Sequence, residues 1–234
     1  MPNLLLGTGG FYYWNTCLSS KIRMATDAGA DGVEISCVPP GYEFSAMEIG
    51  LLGNLACNTL HLSGLGVMDI AFARYCLNSV PNLFHCVLHP NNIDTELIPD
   101  DLMPFIAFEN MDIRKDSHRS SESMHDLMKS CERSSFVLDI NHAMENGDDL
   151  YNFLSIPKRK AIHFSSVNRN FYTDFPHILT THALAYLDDS FLESAGDLSF
   201  LKNENIIVIE GVIPESRMDM LREEIIFLRK LIKE

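Results

Sequence analysis

The chain has 234 residues, enough for one large domain with a real core, and its 46% hydrophobic and 21% charged residues are ordinary for a globular protein. These values exclude a disordered chain, a collagen-like chain and a simple coiled coil. The formal net charge of −14 disfavours general attraction to nucleic acid or to anionic membranes, although it leaves room for a local basic patch. No apolar run reaches the ~18 residues that a membrane span needs.

The N-terminus and the six cysteines predict a cytoplasmic protein. The first ten residues contain no basic segment and only three consecutive leucines, which is not typical of a secretory signal. None of the cysteines forms a CxxC pair, so neither a zinc ribbon nor a redox motif is indicated. Most of them lie in apolar runs, where reduced and buried thiols are expected.

Eight short apolar runs recur along the chain and predict parallel strands. Each run is continuous, rich in Ile, Val, Leu and Phe, and is followed by turn residues, as expected for strands that are buried on both faces. In chain order the runs are LLLG (4–7), GVEIS (32–36), NTLHLS (58–63), HCVLHP (85–90), FIAFEN (105–110), FVLDIN (136–141), AIHFSS (161–166) and IIVIEG (206–211). His85 is the first residue of the fourth run, and we place it just ahead of the strand, at the strand's amino end.

Helix-like segments separate these runs, as the crossovers between parallel strands require. The first has Thr16 or Ser19 as its candidate N-cap and ends at Gly29. A second helix is predicted to begin after Ser120, and the C-terminal segment, with its apolar stripe, is the clearest helix. The stretch 91–104 is short and contains two prolines, so we expect no more than a turn of helix there.

Eight strand–helix units predict an α/β fold, a single (β/α)8 TIM barrel over residues 1–234. About 29 residues are available for each unit, which is close to the minimum for this barrel. A doubly wound sheet is the alternative, but it rarely needs eight parallel strands and a closing C-terminal helix.

Six of the eight runs end in a side chain that can bind a metal ion. The carboxyl ends of barrel strands face one common mouth, and the active site lies there. One such residue alone is more often structural, but six buried charged or polar groups in one mouth would be costly without a shared partner. Carboxylates and imidazoles together suit Zn²⁺, Mn²⁺ or Fe²⁺. The six residues are His61, His89, Glu109, Asp139, His163 and Glu210.

Three further residues near this mouth are candidates for substrate binding. His142 follows Asp139 by three positions, so both side chains point into the mouth if the chain turns there. Arg169, in the loop after the seventh run, is typical either of a phosphate- or carboxylate-binding residue or of a solvated surface arginine. Trp14, in the aromatic segment FYYW (11–14), either walls a sugar pocket or belongs to a plug at the barrel rim.

The order of the motifs HLS, LHP, FEN, LDINH, IHFS and IEG resembles that of the xylose-isomerase-like TIM barrels. The resemblance covers essentially the whole chain. This superfamily includes sugar and sugar-phosphate isomerases and epimerases, and also endonuclease IV, of AP endonuclease family 2. For this chain the isomerase branch implies one divalent metal ion, with Mn²⁺ or Zn²⁺ preferred over Mg²⁺, Co²⁺ or Fe²⁺, held by Glu109, Asp139, His163 and Glu210. It also implies that Glu109 and Glu210 transfer a proton beside a carbonyl group, and that His142 contacts substrate hydroxyls.

The endonuclease branch implies instead a cluster of three zinc ions. Glu109 would bridge two of them, and the histidines of HLS and LHP would join it at one. The third zinc would take His142 and an Asp-x-His pair, for which the best candidate is TTH (180–182), ending in His182. This segment has threonine where the aspartate belongs. The chain is also short and acidic, with little loop to grip DNA, so a small substrate is favoured over nucleic acid.

The sequence therefore predicts a metal-dependent isomerase or epimerase that acts on a small sugar, sugar phosphate or related hydroxy-carbonyl compound. The alternatives are a multinuclear zinc phosphodiesterase of the endonuclease IV type and a non-catalytic barrel that only binds a ligand. Homo-oligomers are common among isomerases of this kind, but no part of the sequence is assigned to a subunit contact.

Overall fold

The computed structural model describes residues 1–62 and 67–233 and contains a closed barrel of eight parallel strands. The barrel strands are β1 (Asn3–Gly7), β2 (Gly32–Ile35), β3 (Cys57–Leu62), β4 (Leu83–Leu88), β5 (Ile106–Glu109), β6 (Ser135–Asp139), β7 (Arg159–Phe164) and, after the short antiparallel pair β8 (Ser166–Val167) and β9 (His182–Ala183), β10 (Ile206–Ile209). β10 pairs with both β7 and β1, which closes the barrel. The predicted (β/α)8 barrel is thus confirmed, while Ser63, the last residue of the third run, lies outside the described residues.

Helices and turns surround the barrel. The helices are α1 (Leu18–Ala28), α2 (Ala46–Gly53), α3 (Val67–Ser79), α4 (Ser121–Ser130), α5 (Ile140–Asn146), α6 (Leu150–Leu154), α7 (Phe191–Ala195) and α8 (Met218–Lys233). Between β4 and β5 the chain forms three short 3₁₀ turns, at Pro90–Asn92, Thr95–Leu97 and Met103–Phe105, where the sequence predicted no more than one turn of helix. None of the described helices is long and apolar enough to cross a membrane.

The ends of two helices test the predicted caps. Ser120 caps α4, because its side chain accepts a hydrogen bond from the backbone amide of Ser123. Gly29 ends α1 with a φ of 94°, a left-handed conformation that glycine adopts without strain. The N-cap of α1, however, is Cys17 and neither of the two predicted residues. Its extended backbone starts the helix without a side-chain cap, so the sequence offered no polar signal at that position.

Side chains of the barrel strands alternate between the barrel interior and the surrounding helices. The interior ones form a small apolar cluster of Leu5, Cys57, Val87, Ala107, Val137, Ala161, Ile206 and Val208. His89 lies two positions after Val87, and Glu109 two positions after Ala107, so the strand period directs both into the mouth. The same step leads from interior residues of β6, β7 and β10 to Asp139, His163 and Glu210. Local strand geometry therefore brings the predicted ligands together.

His85 corrects one sequence-based placement. It lies within β4 and not ahead of it, because the strand begins at Leu83. Its side chain is 1% exposed, and neither ring nitrogen has a hydrogen-bond partner among the described residues. Burial lowers the pKa of His85 to about 4, so the ring is neutral and fills the barrel interior as an apolar residue would.

Candidate metal centre

Glu109 lies at the centre of the cluster in the barrel mouth. It is the last residue of β5 and is 1% exposed. His61 Nε2 and His89 Nε2 lie 3.1 and 3.0 Å from its Oε2, and His163 Nδ1 lies 2.9 Å from its Oε1. Burial alone would raise the pKa of this carboxyl, but His163 and the other imidazoles hold it well below its usual range. Each carboxylate oxygen thus faces its own imidazole partners.

Two of the histidines around Glu109, His61 and His163, have pKa values shifted in the opposite direction. Burial alone would lower the pKa of His61, but the hydrogen bond and the charge of Glu109 raise it to about 9. Burial also opposes protonation of His163, yet the charges of Glu210, Glu34 and Glu109 raise its pKa well above the usual range. The cluster is held together by protons shared between imidazoles and carboxylates. A divalent cation bound to the same atoms would displace these protons.

Asp139 presents a buried oxygen to this cluster. Its Oδ1 accepts a hydrogen bond from the backbone amide of His142 at 2.8 Å and so caps α5. Its Oδ2 is buried without a hydrogen-bond partner among the described residues. Burial, and then the charges of Glu210 and Glu109, raise the pKa of Asp139 well above its usual range. A cation would supply the partner that this oxygen lacks.

The orientation of the His142 ring follows from one hydrogen bond. Its Nδ1 lies 2.8 Å from the backbone oxygen of Asn110, and a carbonyl oxygen can only accept, so Nδ1 carries the proton. The lone pair is therefore on Nε2, where it can bind a cation or accept a hydrogen bond from a substrate hydroxyl. Asn110 also bonds the backbone of Asp139 in both directions, which fixes the end of β6 against the end of β5.

Glu210 follows β10 and reaches further into the open mouth than Glu109. Its Oε1 lies 3.1 Å from His163 Nδ1, and its side chain is 18% exposed, against 1% for Glu109. Burial alone would raise the pKa of Glu210, but the charge of His163 lowers it to about 2. Of the two predicted catalytic carboxylates, Glu210 is the one that solvent and a substrate can reach.

His182 completes the mouth on the side of β9. The ring of His182 lies 5.2 Å from that of His142, and its Nδ1 is 2.8 Å from Ser165 Oγ and 3.9 Å from Glu210 Oε2. Burial lowers its pKa to about 4. Thr180, at the position where the endonuclease pattern has an aspartate, accepts a hydrogen bond from the backbone amide of His182. It shapes the turn that carries His182.

Together these residues form four overlapping groups whose possible ligand atoms lie within 4.8 Å of one another. The groups are Glu109 with Asp139, His163 and Glu210; Glu109 with His61 and His89; Asp139 with His142 and His182; and Glu34 with His61, His163 and Glu210. All eight predicted metal-binding residues belong to at least one group. Glu34 was not predicted, because it lies inside its run and not at its end. The signal was present, since Glu34 is two positions after Gly32 on the inward face of β2.

A cavity of about 280 Å³ adjoins Glu210. Its described lining residues include no lysine or arginine; they are Gly7, Gly9, Gly10, Tyr12, Tyr13, Ser36, Leu179, Thr180, His182, Glu210 and Val212. The cavity is therefore small, with hydroxyl groups, backbone edges and two aromatic rings around it. Its size and lining suit a compact, hydroxylated molecule.

Two predicted substrate-binding residues lie apart from this cavity. The indole Nε1 of Trp14 donates to the backbone oxygen of Ile213 at 2.8 Å, and its ring packs edge-on against Phe11. Arg169 is exposed, and its guanidinium lies 3.4 Å from Ser190 Oγ in a separate surface cleft that contains none of the candidate ligands. Trp14 is thus held against the chain by its contacts with Ile213 and Phe11.

Comparison with known proteins extends this description. No protein-family model matches the sequence, and no curated protein matches it. Solved structures do match over nearly their whole length. A probable 3-DHS dehydratase involved in petrobactin synthesis, from Bacillus anthracis, is 14% identical with a TM-score of 0.69, and the match covers 98% of this chain and 99% of that one.

Two further structures represent other activities. Endonuclease IV from Thermus thermophilus is 15% identical with a TM-score of 0.63, and the match covers 99% of both chains. D-allulose 3-epimerase from a Methylomonas species, solved with D-allulose, is 13% identical with a TM-score of 0.64, and the match covers 98% of this chain and 96% of that one. The chain has the fold of the xylose-isomerase-like TIM barrels. At these identities the likeness concerns the fold, and the function has to be argued from the site.

Proposed function

We propose that the protein is a divalent-metal-dependent isomerase or epimerase that moves a proton within a small sugar, sugar phosphate or related hydroxy-carbonyl compound. The observation that carries this proposal is the position of Glu210. Its carboxylate lies 3.1 Å from His163 Nδ1 and also lines the 280 Å³ cavity. One carboxylate can therefore face the metal ligands and a bound substrate at the same time, as proton transfer requires.

The residues of the cluster fit a divalent cation. Imidazole nitrogens and carboxylate oxygens together suit Zn²⁺ and Mn²⁺. The buried Oδ2 of Asp139 has no hydrogen-bond partner among the described residues and would gain a bond to the cation. We assign the cation to Glu109, Asp139, His163 and Glu210. When bound there, it would polarise the substrate carbonyl and the neighbouring hydroxyl.

We assign the proton transfer to Glu210 and a binding role to Glu109. Both oxygens of Glu109 face imidazoles in a site that solvent does not reach, whereas Glu210 is partly exposed. Glu210 would take a proton from the hydroxyl-bearing carbon beside the carbonyl and return it to the former carbonyl carbon, while the proton of that hydroxyl group passes to the former carbonyl oxygen. A single accessible carboxylate favours isomerisation over an epimerisation that uses one acid on each face of the substrate.

The surroundings of Glu210 support an uncharged substrate. The Nε2 lone pair of His142 can accept a hydrogen bond from a substrate hydroxyl, and Ser36 and Thr180 add hydroxyl groups to the cavity wall. The described lining residues offer no lysine or arginine to a phosphate group. A free sugar or related hydroxy-carbonyl compound is therefore preferred over its phosphate ester.

Solvent exchange tests this function. The protein, loaded with Mn²⁺ or Zn²⁺, is incubated in deuterated water with a panel of ketoses, aldoses and their phosphates, and deuterium on carbon is followed by NMR. We expect incorporation at the carbon beside the carbonyl and its loss in Glu210→Gln. Glu215→Gln, an exposed carboxylate outside the cluster, is the control and should exchange like the wild type. Full exchange in Glu210→Gln would contradict the assigned role.

Hydrolysis of a phosphoester at a multinuclear zinc site is the second candidate, and a specific observation favours it. His61 Nε2 and His89 Nε2 both face Glu109 Oε2, so a second cation has a set of three ligands that shares only Glu109 with the first set. His142, His182 and Asp139 offer a third set. Multinuclear zinc sites of this kind are suited to phosphoester cleavage.

Metal content per chain separates the two candidates. Elemental analysis of protein purified without chelator should find about one equivalent for the isomerase. Two or three equivalents, with cleavage of a phosphodiester such as abasic-site DNA, would favour the hydrolase. A protein that takes up no metal and catalyses neither reaction would be a binding barrel, and both enzyme proposals would be wrong.

A further inference from the structure

Glu34 is a buried carboxylate in the barrel mouth that the proposed reaction does not use. It lies in β2, is 1% exposed, and faces inward beside Thr59 of the neighbouring strand. Only two contacts hold its Oε2 among the described residues: Thr59 Oγ1 donates to it at 2.9 Å, and His163 Nε2 lies 3.3 Å away. A charge buried with so few partners is costly unless it has a specific role.

His163 stands between Glu34 and the proposed cation site. Its Nε2 faces Glu34, while its Nδ1 lies 2.9 Å from Glu109 Oε1 and 3.1 Å from Glu210 Oε1. An imidazole that binds a cation keeps one proton, on the nitrogen that does not bind. A carboxylate at Nε2 holds the proton there and leaves the lone pair on Nδ1, directed at Glu109 and Glu210.

We infer that Glu34 is a positioning residue that fixes the tautomer and the ring orientation of His163, so that Nδ1 is presented to the cation. Thr59 supports it by donating a hydrogen bond to the oxygen that faces His163. Glu34 acts through His163 and does not itself bind the cation. This inference rests on the proposed function, since it assumes a cation at Nδ1 of His163.

The competing role for Glu34 is that of a ligand. Its carboxylate lies in one group with His61, His163 and Glu210, with possible ligand atoms within 4.8 Å. Its Oε2, however, already accepts from Thr59 and lies on the far side of the His163 ring from Glu109. A cation bound to Nδ1 of His163 would be separated from Glu34 by the ring.

The experiment uses NMR of protein with ¹⁵N-labelled histidine, without metal and with ¹¹³Cd²⁺. In the wild type we expect cadmium coupling to Nδ1 of His163 and a slowly exchanging proton on Nε2. Loss of a partner that orients a metal-binding histidine weakens metal affinity by about 10- to 100-fold. We expect that loss of Cd²⁺ affinity in Glu34→Ala, together with fast exchange of the Nε2 proton and an unchanged number of cadmium ions per chain.

Two further variants keep the test informative if Glu34→Ala is poorly folded. Glu34→Gln retains an oxygen that accepts from Nε2, so the tautomer should persist and the affinity loss should be smaller. Thr59→Val should give an intermediate loss. Glu48→Ala removes a buried carboxylate that caps α2 outside the barrel and should leave Cd²⁺ affinity unchanged.

Four results would overturn the inference. Cadmium coupling to Nε2, or wild-type affinity in folded Glu34→Ala, would show that Glu34 does not position the ring. Loss of one bound cadmium per chain in Glu34→Ala would make Glu34 a ligand. If the wild type binds no cadmium, both the proposed function and the role of Glu34 in directing Nδ1 at a cation are wrong. In that case, a slowly exchanging Nε2 proton in the wild type that exchanges fast in Glu34→Ala would show that the contact between Glu34 and His163 is only structural.

Discussion

The barrel mouth and the layer beneath α8 each bury a carboxylate completely, and they stabilise it in different ways. Glu109 is surrounded by imidazoles. Burial alone would raise its pKa, but the charge of His163 and hydrogen bonds from the surrounding imidazoles hold it well below the usual range. Glu224 of α8 accepts hydrogen bonds from the backbone amides of Ala185 and Tyr186, and burial raises its pKa to about 7. A protonated imidazole can lose its proton to water when a cation binds to the nitrogen, whereas a backbone amide keeps its proton. The first carboxylate is thus suited to a metal site and the second to holding two elements together.

The largest effect is expected from Glu109→Gln, which removes the charge that the three imidazoles share. Two of the possible metal groups contain this carboxylate, so metal content should fall and exchange activity should drop by at least about 1,000-fold. Elemental analysis and the solvent-exchange assay measure these changes, and circular dichroism checks the fold. Exposed Glu43→Gln is the matched control. Wild-type metal content in Glu109→Gln would mean that Glu109 is not a metal ligand.

The next largest effect concerns the barrel wall that carries Glu34. A Cβ atom added to Gly32 would lie 1.7 Å from the backbone oxygen of Cys57, so Gly32→Ala must push β2 and β3 apart. We expect a loss of more than about 3 kcal/mol in the free energy of unfolding, measured in urea. Gly50→Ala in α2, where an added Cβ meets nothing within 4 Å, should instead be neutral or stabilising. Equal stability of both variants would contradict the close approach.

A smaller, pH-dependent effect is expected from the carboxylate beneath α8. The pKa of Glu224 is about 7 in the folded chain and near 4.5 when unfolded. Between these values the folded state binds more protons, so stability falls as pH rises, by up to about 3 kcal/mol. The stability of Glu224→Gln should not fall in this way as pH rises, because glutamine does not titrate. The variant has one hydrogen bond from a backbone amide fewer, which costs about 1 kcal/mol.

Urea unfolding at pH 5 and at pH 8 checks this prediction. Glu224→Gln should be less stable than the wild type at pH 5 and should gain on it by pH 8. Glu223→Gln, on the exposed face of the same helix, should show no such change between the two pH values. A constant difference between Glu224→Gln and the wild type would mean that Glu224 keeps its charge throughout.

The sequence predicted the barrel from the recurring apolar runs, and the candidate ligands from the polar residues at the ends of those runs. The end-of-run rule places Glu109 and His163 together in the mouth, because the strand period and the shared direction of parallel strands determine where such side chains point. It missed Glu34, which has the same inward direction but lies inside its run. The alternation of inward and outward side chains along each run therefore identifies more of the mouth residues than the last residue of the run does.

Loop residues were harder to predict, because no local period fixes their direction. Arg169 follows β7 closely in sequence, yet its side chain contacts Ser190 and does not point into the mouth. The cap of α1 also had no polar signal, since Cys17 starts the helix by its backbone alone. These positions depend on tertiary contacts, which a single sequence does not display.

The smallest effect separates the mouth from its rim at Trp14, the only tryptophan of the chain. Its indole bonds the backbone of Ile213 and packs on Phe11, so Trp14→Phe should cost about 1 kcal/mol of stability and leave KM unchanged. Tyr12 lines the cavity and is 69% exposed, so Tyr12→Leu should do the reverse and raise KM with little loss of stability. The comparison requires a substrate from the exchange screen and urea unfolding followed by circular dichroism. A higher KM in Trp14→Phe at unchanged stability would mean that the indole ring does contact the substrate. The binding site would then extend from the cavity to the barrel rim.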